Sequence, residues 1–389
     1  MKEFFKNNKV ILLLILLLGL ALRLWNLNRP EGIWNDEYVA YSISMLKFPF
    51  NFFEDIKTNC HAPLHYFYVK LWMQIFRNSD FMLRLSSLVP NLLGCLVMYF
   101  AGKNYQSKDN SIKIGLASAG IASISSFLIY FSQEVRIYSM IFLLSSLILL
   151  FSIKMYNAPC KKYATWITIL SILLILEHNI GFVFVLFNAF GLIAFRQKQK
   201  KKKEGDKFIP VIAGLILCLP LIPFLFRIFA HPTYVSQWWS PFNWSKLCFF
   251  FTDLFSPVLK NITSTPLNFY NQIIHNDVIN IGFVLFALIP AAIAFWFIVK
   301  SNMESKRVNK YLFCVFLATF LTILITAIAG KLVFLTKYLT ELYPILILMA
   351  AIGWAEVNSQ NTRITLATVY IFMSLFFIVA SHVSAIHLV

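Results

Sequence analysis

Apolar runs of nearly helix-spanning length, separated by short polar stretches, recur along almost the whole of this chain. A helix needs roughly 20 apolar residues to cross a bilayer, and such runs fall at about residues 9–25, 82–101, 112–131, 137–155, 163–177, 180–195, 208–229, 279–299, 311–330, 332–353 and 364–387. The pattern predicts an all-α polytopic membrane protein with about eleven transmembrane helices. The fifth run is short, and the tenth carries Lys337 and Glu341. Two segments, residues 26–81 and 230–278, are too long to be plain connectors, and long ordered loops usually carry function. The first holds Trp34, His61, His65 and Trp72, the second Trp238, Trp239 and Trp244. Aromatic residues settling at the lipid boundary account for them equally well. Pro63 predicts the start of an interfacial helix that ends near Phe76. No internal repeat is visible, and the chain reads as a single transmembrane domain over residues 1–389, without a soluble C-terminal domain.

Charge adds orientation. The chain is 59% hydrophobic and 13% charged, with a net charge of +17. With the N-terminus set in the cytoplasm, the cytoplasmic side holds 21 Lys and Arg against 6 Asp and Glu, and the other side 13 against 11, recovering the totals of 34 and 17. The heaviest basic loop contains Arg196, Lys198 and Lys200 to Lys203, as the positive-inside rule expects of a short loop. Nucleic acid is not among the expected partners, because so short a patch between helices is ordinary topology signal. The six cysteines are scattered, without a CxxC pair, and indicate neither a disulfide framework nor a zinc site. Lys2, Lys6 and Lys9 precede the first apolar run, and Arg23 and Trp25 follow it where a cleavage site would need small residues. This predicts a retained signal anchor. The composition points to a bacterial inner membrane.

Candidate chemistry gathers at helix ends on the side opposite the basic loops. Asp36 and Glu37 sit between Trp34 and Tyr38; a carboxylate at a partly dry surface can serve as a general base, although a solvated turn or helix cap explains an acidic dipeptide as well. His61 and His65, four apart, have metal-ligand spacing and could equally be interfacial hydrogen-bonding groups. A divalent metal is possible, and no organic cofactor is indicated. Arg136 with Tyr138, His178 in Glu177-His178-Asn179, and Lys337 with Tyr338 lie on the same side. An arginine and a lysine facing one cavity meet the requirement for holding phosphate oxygens. Alternatively, Arg136 pairs with Glu134 or Glu177, and Lys337 with Glu341, as structural bridges. A transporter would spread polar groups toward the membrane midplane; here they collect at one surface, which suits a reaction between a lipid-borne substrate and an acceptor. There is no GxGxxG or Walker sequence, consistent with a donor that is not a nucleotide.

The stretches NDEYVAYS, HAPLHYFYVKLW, FMLRLSSLVPNLLGCL, SQEVRIYSM, LEHNIGFVF and KLVFLTKYLTELYPILILMAA, in this order and spacing, resemble the GT-C glycosyltransferases. The likeness is to family 39, the protein O-mannosyltransferase-like and aminoarabinose transferase-like group. The resemblance implies the GT-C fold, a large first external loop with interfacial helices, and inverting transfer of a sugar from a polyprenyl-phosphate donor to a lipid, glycan or protein acceptor. It makes Asp36 the base, supported by Glu37, with His61 and His65 lining the site. Arg136 and Lys337 would bind the donor phosphate. Two departures from the family pattern stand out: Lys337-Tyr338 where an Arg-Tyr pair is usual, and His61-Ala62-Pro63 where His-Pro-Pro is usual. The competing reading is a transporter or lipid-linked-sugar flippase. A ligase or polymerase acting on lipid-linked glycans finds only His231, His275 and Arg227 for its late loop.

Overall fold

The computed structural model describes residues 7–52 apart from 26 and 29–31, then 55, 62–105, 110–195, 242, 289, 292–300, and 307–386 apart from 331 and 333. Among these residues every regular element is helical. In chain order they are α1 (Asn8–Leu24), α2 (Asn35–Met45), α3 (Leu64–Ile75), α4 (Asp80–Tyr105), α5 (Ser111–Ile124), α6 (Ser126–Ser132), α7 (Tyr138–Asn157), α8 (Lys161–Glu177) and α9 (Gly181–Ala194). After a helical stretch at 292–300 come α10 (Arg307–Ile328), a 3-10 segment (Thr336–Leu342), α11 (Tyr343–Ala355) and α12 (Gln360–Ile386). Among the described residues four helices are long and apolar enough to cross a membrane, and up to five if one bent pair is a single span. The expected span at 208–229, most of 279–291 and nearly all of the loop 230–278 lie outside the described residues.

α4 packs along both α5 and α7, and α11 lies against α5, α4 and α7. The run Ile345 to Ile352 is at most 1% exposed, so this uniformly apolar helix is enclosed by protein. Close approach of α4 and α5 depends on Gly102, where a Cβ would come within 2.7 Å of the Ile114 carbonyl oxygen. Small residues permit such backbone contact between membrane helices.

The apolar run 112–131, expected as one span, is two helices bent by 57°. Ser125 leaves the helical conformation and caps α6, its hydroxyl accepting from the Leu128 amide at 3.2 Å. The carbonyls released at the break find their donor in Arg23, wholly buried at the end of α1. Its guanidinium donates to the oxygens of Ser123 at 2.8 Å, Ala122 at 3.1 Å and Gly19 at 2.9 Å, and to the Asn91 side chain at 3.0 Å. Asn91 in turn donates to Ser139 in the first turn of α7 at 3.1 Å. Gln133 closes the same region by donating to the carbonyls of Arg23 and Trp25 at 3.1 and 2.7 Å. This knot fixes where the connection from α6 to α7 leaves the bundle.

α2 and α3 form a separate layer over the start of α4. Helices this short are marginal alone; Ala40, Ile43, Phe52, Tyr66, Val69 and Leu83 make a small core with Val135 of the α6–α7 connection. A fully buried Val or Ile side chain contributes roughly 1.5–3 kcal/mol. The opposite face of α2 leaves Tyr38, Val39 and Met45 exposed, the pattern expected of an interfacial helix. Polar ties complete the layer: Lys70 caps the C-terminus of α2 through the carbonyls of Ser44 and Leu46 at 3.0 and 2.7 Å, and Trp72 donates to the Met82 carbonyl at 2.7 Å.

Candidate active site

Asp36 and Glu37 open α2, where carboxylates oppose the positive end of the helix dipole. Adjacent in sequence, they face opposite surroundings. Glu37 is sealed, with no exposure, and accepts from Arg84 through both oxygens, Nε at 3.2 Å and Nη2 at 3.1 Å. It also accepts from the backbone amides of Trp34 at 3.2 Å and Val135 at 2.9 Å. Arg84 spends its remaining donors on the carbonyls of Leu27 at 3.0 Å and Gly32 at 2.5 Å. Gly32 has φ of +70°, a left-handed conformation that glycine tolerates best. Glu37 therefore faces its own chain, with both carboxylate oxygens held by Arg84 and backbone amides. Its partner Arg84 went unassigned in the sequence; a cation within an apolar run is the signal that marks such a residue.

Asp36 points the other way. Its side chain is 36% exposed, and Oδ2 lies 3.2 Å from Arg136 Nη2 and 3.9 Å from Lys337 Nζ. Arg136 also donates through Nη1 to the Asp36 carbonyl at 3.1 Å. Because Val135 binds Glu37 while Arg136 binds Asp36, residues 135–136 are locked in register against 36–37. Both cations lie over the ring of Tyr138, the Arg136 guanidinium carbon at 5.9 Å and Lys337 Nζ at 5.8 Å, and Lys337 is 5.7 Å from the centre of the Tyr338 ring. Burial alone would lower the pKa of Arg136, but the Tyr138 hydroxyl and the Asp36 carboxylate outweigh it and raise it, so the guanidinium stays charged. Asp36, Arg136, Tyr138, Lys337 and Tyr338 thus meet at one end of the bundle.

The remaining candidates form a second, buried layer. His65 Nδ1 and Glu177 Oε1 lie 3.2 Å apart, in close contact but not aligned for a hydrogen bond. His178 pairs closely with Glu341, and its ring stands 5.8 Å from that of Tyr338, which connects the two layers. Of the alternative pairings, Glu177 meets His65 and Glu341 meets His178, while both cations meet Asp36; Glu134 adds to the negative charge around Arg136. Lys337 lies in the 3-10 segment before α11, not inside an α-helix, and that segment is kinked at Leu339. In 3-10 geometry residues three apart share a face, so the i, i+4 pair is not favoured. His61 lies outside the described residues. Among the described residues no group of three or more His, Cys, Asp and Glu could hold a metal ion.

Neither a family model nor a curated protein sequence matches this chain. Solved structures do. ArnT from Cupriavidus metallidurans in the apo state aligns with a TM-score of 0.58 at 13% identity, over 91% of this chain and 61% of that one. The Archaeoglobus fulgidus oligosaccharyltransferase in complex with Zn and sulfate aligns with a TM-score of 0.56 at 12% identity, over 95% and 52%. AglB of the same organism, in complex with an inhibitory peptide and a dolichol-phosphate, gives 0.53 at 10%, over 97% and 56%. The chain therefore spans about half to three-fifths of the length of these structures. At this identity the likeness establishes the fold: an all-α polytopic membrane protein of the GT-C type.

Proposed function

We propose that this chain is a membrane glycosyltransferase that takes a sugar from a polyprenyl-phosphate donor and passes it to a lipid, glycan or protein acceptor. The reaction takes place on the non-cytoplasmic face of a bacterial inner membrane. One observation carries the reading: a part-exposed carboxylate, Asp36, shares one oxygen between an arginine and a lysine drawn from distant parts of the chain. Such a site holds a proton acceptor and a phosphate-binding pair within a few ångströms of each other. The fold supports it, since the AglB structure of the same architecture carries a dolichol-phosphate, a polyprenyl-type lipid phosphate.

In the reaction, the acceptor hydroxyl or amine attacks the anomeric carbon as the Asp36 carboxylate takes its proton. The bond from that carbon to the phosphate oxygen breaks, and the polyprenyl phosphate leaves with both electrons. The new bond forms on the opposite face of the sugar, so configuration inverts. Arg136 and Lys337 stabilise the charge growing on the leaving phosphate. Lys337 does so as a point charge, Arg136 through a fork that can bind two oxygens. Glu37 and Arg84 keep Asp36 in place, while Tyr138 and Tyr338 frame the cations. His178, paired with Glu341, stands beside Tyr338.

The test is transfer from a radiolabelled polyprenyl-phosphate sugar in membranes, comparing the native chain with Asp36→Asn at equal insertion. Loss of transfer in the variant is expected. Equal transfer by both would remove Asp36 from its role. Movement of the lipid-linked sugar across vesicles by both proteins, without transfer, would replace the enzyme with a flippase.

A further inference from the structure

The cations assigned to the donor phosphate are already engaged. Arg136 grips Asp36 twice, through the backbone oxygen at 3.1 Å and the side chain at 3.2 Å, and Lys337 stands 3.9 Å from the same carboxylate oxygen. The Oδ2 oxygen that meets both cations is occupied by them and must be released before it can take a proton from an acceptor. The Asp36 side of both pairs is part-exposed while Arg136 is nearly buried, so the contacts are only partly screened by water. A lipid phosphate offers two unesterified oxygens, so one can take Nη2 of Arg136 while the other takes Nζ of Lys337, each as a charge-assisted contact.

We propose that Arg136 and Lys337 latch Asp36 until the phosphate of the lipid-linked donor draws both cations onto its own oxygens, so that the base is presented only after the donor is seated and the acceptor binds second. This rests on the glycosyltransferase reading above and adds to it the order of events. The geometry accommodates the exchange. Arg136 Nη1 stays anchored on the Asp36 carbonyl while Nη2 changes partner. Lys337 Nζ lies between the faces of Tyr138 and Tyr338, at 5.8 and 5.7 Å from their centres, and can shift across them without losing favourable contact. Of the three side chains Asp36 is the most exposed, at 36% against 16% for Lys337 and 9% for Arg136, so the released carboxylate faces the side from which an acceptor arrives.

The experiment labels carboxyl groups of the full chain in detergent with a water-soluble carbodiimide and glycinamide, and reads Asp36 by peptide mass spectrometry. The additions are a polyprenyl monophosphate or, as control, the corresponding polyprenol. A several-fold rise in Asp36 labelling with the phosphate but not the alcohol is expected, while Glu37, sealed by Arg84, labels in neither. Simple occlusion by a bound lipid gives the opposite sign. A fall, no change, or an equal rise with polyprenol overturns the latch. In Lys337→Ala the lipid-free labelling should already be raised; labelling at the native level there also overturns it. The transfer assay keeps the two ideas apart. Transfer without a rise in labelling removes the latch and leaves the transferase, whereas a rise without transfer from any polyprenyl-phosphate sugar keeps the exchange and removes the transferase.

Discussion

Arg23 in the bundle and Arg136 at its end are both almost wholly buried, yet their surroundings differ. The Arg23 guanidinium is spent on the carbonyls of Gly19, Ala122 and Ser123 and on the side chain of Asn91, all neutral acceptors of its own chain. Arg136 shares a part-exposed carboxylate with a lysine. A cation whose donors are filled by the fold has nothing to offer a ligand, whereas one that meets an exposed anion has a partner it can exchange. The same division separates Glu37, saturated by Arg84 and two amides, from its neighbour Asp36. Satisfaction of hydrogen-bonding capacity, more than depth of burial, distinguishes the two arginines and the two carboxylates.

The largest effect should come from the exchangeable side. Asp36→Asn keeps shape and removes the proton acceptor, and loss of a positioned general base costs about 10²–10⁴-fold in rate. Thermal stability in detergent should stay near native, because the Asp36 side chain is not buried; a large drop in melting temperature would place Asp36 with the structural group instead. Glu37→Met should behave in the opposite way. It strands the Arg84 guanidinium, and removing one partner of a buried pair costs about 3–5 kcal/mol, read as loss of folded protein on mild heating. The double variant Glu37→Met with Arg84→Met should regain much of that stability while transfer remains low, since the Val135–Glu37 half of the register between residues 36–37 and 135–136 is gone. Recovery of transfer along with stability would show that the register does not matter.

Much of this arrangement was legible in the chain, and the exceptions have a common cause. Hydropathy marked the helices because membrane helices satisfy their own backbone and need only apolar length. The joint clustering of Asp36, Arg136 and Lys337 was readable from their positions at helix ends. The break at Ser125 was not, because the serines of the run 112–131 do not by themselves mark a break and the donor that makes it tolerable is Arg23, a hundred residues away. Nor could the sequence choose partners for Glu37, Glu177 or Glu341. Arg84, His65 and His178 reach them from other parts of the chain, and tertiary distance is what spacing cannot supply.

The structural arginine gives a smaller test. Arg23→Met leaves several buried acceptors at the α5–α6 break without a donor, and an orphaned buried group costs about 1–3 kcal/mol. In membranes the cost falls toward the lower end, since the unfolded chain also finds partners. Folded protein should survive with a lowered melting temperature, and transfer should fall only in proportion to the folded fraction. A loss of transfer well beyond that fraction would mean that Arg23 acts on the site as well as on the fold.

The smallest expected effect, and the one that bears most directly on how the exchangeable cations work, belongs to Lys337→Arg. A fork at this position can bind two phosphate oxygens where the ammonium offers a point charge, so the donor should bind more tightly. The same fork also grips Asp36 more firmly before the donor arrives. The two consequences oppose each other, and the net change in transfer at saturating donor should remain within about tenfold, roughly 1.4 kcal/mol. The KM for the donor separates them: it should fall if the gain on phosphate dominates and rise if the tighter hold on Asp36 does. An abolished rate with unaltered donor binding would mean that Lys337 does more than supply positive charge.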